Sequence, residues 1–244
     1  MTIILRISSI VLIIVLYEMN KVNHLRNVPI FSDLSDSDLT IIGSKMVPRE
    51  YSKGQMILLE ESHGESFFII TSGAVKVTRV SDDGREVILA ILGESDFFGE
   101  MSLLDGAGRS ANIVANETAK MLTLSRRDFL DCLESFPKIA ISLLEELAVR
   151  LRKSDQQIES LSLSDSEQRI GITLIRLAEE FGTIKNGNVS IKDLPFQQDI
   201  ANMAGTSRET VSRTLKLLEE KSFIKKANRD LTIYNFDAFR INFS

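Results

Sequence analysis

The chain has 244 residues, 43% hydrophobic and 26% charged, with 29 lysines and arginines against 34 aspartates and glutamates and a formal net charge of −5. This excludes disordered and collagen-like chains, and the length suits two ordinary domains, each able to bury a core. One cysteine and two histidines exclude a disulfide framework and a cysteine-ligated metal or cluster, and an evenly spread charge of −5 would also speak against a nucleic-acid partner.

From Ile3 to Tyr17 only Arg6, Ser8 and Ser9 interrupt an apolar run. A membrane span needs about 20 apolar residues, and the Glu18-Met19-Asn20-Lys21 that follows offers no small-residue cleavage site. Residues 1–18 therefore read as an N-terminal extension, either upstream of a start at Met19 or an added apolar strand or helix. No membrane partner is expected, and the chain is expected to be cytoplasmic.

Phe31 to Phe136 reads as β-rich. Gly54, Gly64, Gly73, Gly84, Gly93, Gly99, Gly106 and Gly108 punctuate it, and short apolar or alternating runs lie between them: Met56 to Leu59, Phe67 to Ile70, Ala74 to Val80, Glu86 to Leu92 and Met121 to Leu124. That spacing predicts a sandwich or barrel of antiparallel strands. Asp82-Asp83-Gly84 is a hairpin turn signal, since Asp and Gly tolerate positive φ; Ser72-Gly73 is a weaker one.

After Phe136 the pattern becomes helical. Pro137 suits a first helical turn, and no further Pro or Gly appears until Gly171. Leu144, Leu147, Leu151, Ser154, Ile158 and Leu161 fall at steps of three and four, a heptad seam that serves either a helix packed on its own barrel or a two-stranded dimer interface. Ser164-Asp165-Ser166-Glu167 matches a capping box with Ser164 as cap, so a hinge is placed at Leu163 to Asp165.

The remainder reads as an α-rich domain with a short β tail. Ile200 to Met203, the turn Ala204-Gly205-Thr206-Ser207 and Arg208 to Glu220 make helix, turn, helix. Ser207 caps the second helix and Val211, Leu215 and Leu218 form its buried stripe. Arg208, Glu209, Ser212, Arg213 and Lys216 are left on the outer face. Such a face suits base readout, because Arg can bond guanine O6 and N7 and Glu can accept from the cytosine amino group. Phe223-Ile224, Lys225 to Arg229 and Leu231 to Tyr234 make a two-stranded wing with Lys225, Lys226 and Arg229 at its tip for phosphates. The charge divides accordingly: Ser166 to Ser244 has 12 basic and 10 acidic residues, Met1 to Asp165 has 17 and 24.

Two motifs carry a resemblance. Phe98-Gly99-Glu100-Met101-Ser102-Leu103-Leu104-Asp105-Gly106-Ala107-Gly108-Arg109-Ser110-Ala111 resembles the phosphate-binding cassette of cyclic-nucleotide-binding barrels. Thr206-Ser207-Arg208-Glu209-Thr210-Val211-Ser212-Arg213 resembles the recognition helix of the CRP/FNR family. The resemblance runs from about Val28 to Tyr234 and implies an α+β fold. Its parts are an N-terminal β jelly-roll over 19–136, a long dimerisation helix over 137–163 and a C-terminal winged helix-turn-helix over 164–244.

The resemblance assigns an effector, cAMP or a related cyclic nucleotide, to Gly99, Glu100, Met101, Ser102, Arg109 and Ser110. Glu100 would hold the ribose, and Arg109 with Ser110 the cyclic phosphate, roles that suit a carboxylate acceptor, a guanidinium fork and a hydroxyl. Arg109 paired internally with Glu100 is the alternative. Ser154 and Asp155 align with two adjacent hydroxyl residues that meet the adenine, and Asp155 departs from that pattern. A homodimer on palindromic double-stranded DNA with TGTGA-like half-sites, and RNA polymerase as a partner, are further implied. Two other readings stay open: a different or no small-molecule effector, or a regulatory module whose winged helix contacts protein. Cys132 alone excludes an iron-sulfur member, His24 and His63 read as surface residues rather than haem ligands, and no metal, covalent cofactor or catalytic residue is expected.

Overall fold

The computed structural model describes residues 19–243; the apolar extension at 1–18 lies outside them. Packing divides the chain into two compact units. Residues up to Arg79 join Leu89–Arg150 in the first, and Val80–Ile88 join the chain from Leu151 onward in the second.

The first unit opens with a helical segment over 19–26 (α1) and a single 3-10 turn, Pro29–Phe31. Helix α2 (Asp36–Lys45) follows, capped by Ser35 Oγ, which accepts from Asp38 N. Strands β1 (Val47–Tyr51), β2 (Met56–Leu58), β3 (Ser66–Ser72), β4 (Val75–Val80), β5 (Glu86–Leu92) and β6 (Phe97–Phe98) lead to the short helix α3 (Met101–Asp105). Strands β7 (Asn112–Ala115) and β8 (Ala119–Ser125) and helix α4 (Arg126–Ser135) complete the fold before α5 (Pro137–Leu163). Two four-stranded sheets result, ordered β1-β8-β3-β6 and β2-β7-β4-β5. The alternation of β3 explains how the first sheet is used on both faces. Phe67 and Ile69 pack with Phe97, Leu122, Leu124, Phe129 and Ile139, whereas Phe68 and Ile70 pack with Val75, Phe98, Ile113 and Met121.

The barrel expectation is met, and each of the five predicted runs lies on or overlaps a strand. The β-rich segment also carries the helices α2 and α4, which the strand runs do not mark. Each begins at a serine that caps its third backbone N–H, a local signal the glycine spacing did not carry. Gly84 adopts φ +81° and closes its turn through Gly84 N to Ser81 O at 2.8 Å.

In the second unit α6 (Ser166–Phe181) is followed by the hairpin β9 (Gly182–Lys185) and β10 (Asn188–Ile191). Helices α7 (Gln197–Ala204) and α8 (Arg208–Glu220), the hairpin β11 (Ile224–Ala227) and β12 (Asp230–Ile233), and α9 (Phe236–Phe243) complete it. The strands form one sheet ordered β11-β12-β10-β9, so the β component is four strands rather than two. Ile170, Leu174 and Leu177 of α6 are buried, as are Ile200 and Ala201 of α7, Val211 and Leu218 of α8, and Leu231 and Ile233 of the sheet. Helix α6 is capped by Asp165, not Ser164: Asp165 Oδ1 accepts from Gln168 N at 2.9 Å. The N–H of Ser164 still donates to Ser160 O at 3.1 Å, which ties Ser164 to the end of α5 and moves the cap on by one.

Candidate ligand site and nucleic-acid interface

The cassette is built where β6 runs into Gly99. This residue has φ +88°, and a Cβ on it would lie 2.9 Å from both Arg109 Nη1 and Ser66 O, so only glycine fits. Gly64 is equally confined, with Ser102 Oγ 2.2 Å from where its Cβ would be. Arg109 enters the space these glycines leave. Its Nη1 donates to Gly99 O and to Ser102 Oγ, each at 2.7 Å, and its Nη2 donates to Ser66 O at 2.8 Å. The backbone of Arg109 is pinned on both sides, with its N–H on Ser62 O at 3.0 Å and its carbonyl accepting from Glu61 N at 2.9 Å.

Glu100 lies alongside, 3% exposed. Its Oε1 accepts from Arg150 Nη1 at 3.2 Å. Arg150 also donates to Phe97 O at 3.0 Å and to Glu146 Oε1 at 3.2 Å, and its guanidinium lies 4.4 Å from the centre of the Phe97 ring. The internal Arg109–Glu100 ion pair is therefore not formed: Arg109 holds carbonyls and a hydroxyl, and Glu100 pairs with Arg150. Burial raises the Glu100 pKa above the ordinary carboxylate value, opposed by the charges of Arg150 and Arg109.

Among the described residues, two buried side-chain polar atoms have no hydrogen-bond partner, Glu100 Oε2 and Arg109 Nε. An unmet buried polar atom costs about 1–3 kcal/mol. Both belong to the cassette, an acceptor and a cationic donor that a molecule bearing both a hydroxyl and an anion would satisfy.

Of the remaining residues expected here, Ser102 is buried, while Met101 and Ser110 are exposed and linked, Ser110 Oγ donating to Met101 Sδ at 3.7 Å. Gly99, Glu100, Met101, Ser102, Arg109 and Ser110 thus come together. Ser154 and Asp155 are exposed on α5, in the second unit. Arg150 was not anticipated. Its one sequence signal was its place one helical turn before Ser154 and four residues after Glu146.

In the second unit Gly205 has φ +58° and turns the chain from α7 into α8. Ser207 Oγ caps α8 by accepting from Thr210 N at 3.2 Å. Arg169 of α6 braces the turn, donating to Ala204 O at 2.9 Å and to Gly205 O at 3.2 Å. Val211, Thr214, Leu215 and Leu218 face inward; Ser207, Arg208, Glu209, Ser212, Arg213 and Lys216 are exposed. The α8 stripe and outer face are as expected, with Thr214 an added buried member. The backbone N–H of Glu209 itself, and then the hydroxyl of Ser207, hold the Glu209 carboxyl below its usual range, so it is an ionised acceptor.

The wing differs from expectation. Lys225 pairs with Thr232 and Lys226 with Leu231, so both lysines lie on β11 and the turn is Asn228-Arg229. Asn228, at φ +56°, takes the left-handed position that Asn tolerates. Arg229 does not project from the turn but folds back onto the loop that precedes α7, 3.5 Å from Asp193 Oδ1 and 4.8 Å over the Phe196 ring.

His63 is exposed and His24 Nδ1 lies 4.0 Å from Glu94 Oε1; no group of three or more metal-binding side chains occurs among the described residues. No helix among them is long and apolar enough to cross a membrane.

Comparison with known proteins matches residues 48–136 to the cyclic nucleotide-binding domain family and residues 168–240 to the Crp-like helix-turn-helix domain family. The cyclic AMP receptor protein of Thermus thermophilus is 34% identical over 197 residues, 81% of this chain and 88% of the relative. The CRP-like cAMP-activated global transcriptional regulator of Mycobacterium tuberculosis is 30% identical over 204 residues, 84% of this chain and 91% of its own. A solved structure of a CooA variant from Carboxydothermus hydrogenoformans shares the fold, with a TM-score of 0.71 at 22% identity over 84% of this chain and 90% of that one.

Proposed function

Since this chain belongs to the CRP/FNR family of transcription regulators, which are ligand-responsive DNA-binding proteins and not enzymes, we propose that it is a cytoplasmic homodimer whose effector is cAMP and whose target is a palindrome of TGTGA-like half-sites. The observation that carries the effector is the pair of unpartnered buried atoms, Glu100 Oε2 and Arg109 Nε. A cyclic nucleotide brings a ribose 2′-hydroxyl for the first and an anionic phosphate for the second. Two relatives named for cAMP, at 34% and 30% identity, support the same choice. Arg109 already spends three donor contacts on Gly99 O, Ser102 Oγ and Ser66 O, so it meets the phosphate as a clamped group rather than a searching one.

Support for the dimer comes from α5. Leu144, Leu151, Ile158 and Leu161 are 67%, 63%, 63% and 55% exposed in the single chain, an apolar stripe of seam geometry that a second copy would cover. In a two-fold dimer the two α8 helices would enter successive major grooves about 34 Å apart, with Arg208 and Arg213 on guanines and Glu209 on cytosine. The effector acts by binding more tightly to the arrangement of the two subunits that permits this. Ser154 and Asp155 would complete the adenine contacts, and Lys225 and Lys226 would meet the phosphate backbone. RNA polymerase would be the downstream partner.

Binding of the purified protein to a TGTGA palindrome, with and without cAMP and at two salt concentrations, tests this. Salt-sensitive binding that strengthens with cAMP is expected. Binding indifferent to cAMP rejects the effector and keeps the DNA target; no binding to any duplex under either condition rejects the DNA target and leaves a module that contacts protein.

A further inference from the structure

The loop ahead of α7 and the wing turn enclose a cleft of about 450 Å³ whose lining includes Phe196, Gln197, Gln198, Arg208, Lys226 and Arg229. Three of these are cations. Among the described residues, neither Arg208 nor Lys226 forms a side-chain ion pair, whereas Arg229 does, with Asp193. Asp193 is 82% exposed at its side chain and adopts φ +50°. Arg229 is further held by the carbonyls of Asp193 and Leu194, each at 3.4 Å, and by the face of Phe196. Four contacts thus fix one exposed guanidinium at the rim of a basic cleft, and one of them is an anion.

We propose that Asp193 is a built-in competitor for the DNA backbone. Its carboxylate occupies the face of Arg229 that a phosphate would take, so that binding requires Arg229 to exchange one anion for another. This rests on the DNA-binding reading and adds a regulatory residue to it. The physical basis is counterion release. A free cation that meets a phosphate releases condensed counterions and strengthens binding at low salt, but a cation already neutralised by its own carboxylate gains little. The carbonyls and the Phe196 ring keep Arg229 in place after the carboxylate leaves, so the exchange needs no rearrangement of the guanidinium. Asp193 therefore lowers affinity for DNA of any sequence more than it alters the choice among sequences, because a backbone contact carries no base information.

Asp193→Asn is the test, with Arg229→Gln and the double variant. Asn tolerates the left-handed backbone at this position and keeps the side-chain shape, so the fold is retained; matching thermal melts check that. Affinity is measured for a TGTGA palindrome and for a random duplex, in a salt series with cAMP present. Asp193→Asn is expected to tighten both duplexes by roughly two- to fivefold per half-site at low salt, as fits an exposed ion pair. It is also expected to steepen the slope of log affinity on log salt by about 0.9 per half-site. Most of this gain should vanish in the double variant. Unchanged affinity in Asp193→Asn, or an equal gain with and without Arg229, overturns the proposal while wild-type binding keeps the DNA reading intact. Failure of the wild type to bind either duplex overturns both.

Discussion

Replacing Leu151 with alanine removes most of an apolar side chain from the centre of the α5 stripe while leaving a better helix former in its place. Leu151 is 63% exposed in the single chain. Full burial of a leucine is worth roughly 1.5–3 kcal/mol. The fraction left for a partner to cover, less the methyl that alanine keeps, is then worth about 0.5–1.5 kcal/mol per chain. A two-fold interface loses it twice, about 1–3 kcal/mol, and the dimer constant weakens by roughly 5- to 150-fold. Sedimentation velocity over a dilution series, with wild type and variant side by side, reads this directly. The thermal melt of the variant at high concentration should stay close to wild type, because Leu151 is mostly exposed in the single chain. A variant dimer as tight as wild type, or a wild type that is monomeric at micromolar concentration, would refute the assignment of the stripe to dimerisation.

Arg208→Ala should cost roughly 1–3 kcal/mol in DNA binding and relax one base position, measured by competition among single-base variants of the palindrome; uniform weakening across sequences would make Arg208 a phosphate contact instead. Burial holds the Glu100 pKa above its ordinary value of 4.5, so protonation on acidification begins higher than for a surface carboxylate and removes the acceptor for the ribose hydroxyl. Affinity for cAMP should fall as pH drops through that raised value, and Glu100→Gln should bind more weakly with the pH dependence flattened, as calorimetry at several pH values would show. For the unliganded protein the sign is opposite: a raised carboxylate pKa contributes stability that is full below the unfolded value and is lost as pH rises through the folded one. Gly99→Ala places a Cβ 2.9 Å from Arg109 Nη1 and Ser66 O at φ +88°, and should abolish cAMP binding while α8 still binds DNA non-specifically. Gly171→Ala drives a Cβ to 2.2 Å from the Phe243 ring, so α9 must shift, at a cost of about 1–3 kcal/mol seen as a lower melting temperature.

What could be read in advance followed from the kind of signal each element carries. The helix-turn-helix was legible because its parts are local. The turn at Gly205, Ser207 as cap and the apolar step from Val211 to Leu218 each act within a few residues, and all hold in the structure. The cassette was legible through its resemblance to a known motif, since its ties, such as Arg109 to Ser66 O across 43 residues, are not local. Arg150 was not, because its tie to Glu100 crosses 50 residues of sequence and no periodicity announces it. β1 was missed for a related cause. Val47-Pro48-Arg49-Glu50-Tyr51 is mostly exposed, and its strand character comes from pairing with β8 rather than from its own alternation. The wing tip was misplaced by two to three residues because strand register, not composition, decides where Lys225 and Lys226 lie. The overall charge of −5 hid the division between an acidic first part and a basic helix face.

Binding of cAMP measured with and without the palindrome tests most directly whether cassette and recognition helix are coupled. Coupling between two sites is reciprocal, so the factor by which cAMP strengthens DNA binding must equal the factor by which DNA strengthens cAMP binding. If the cassette governs the helix, the two factors agree and both exceed one, typically by about 5- to 150-fold. A cAMP affinity that is the same with the palindrome as without it would contradict the claim that this ligand controls this interface.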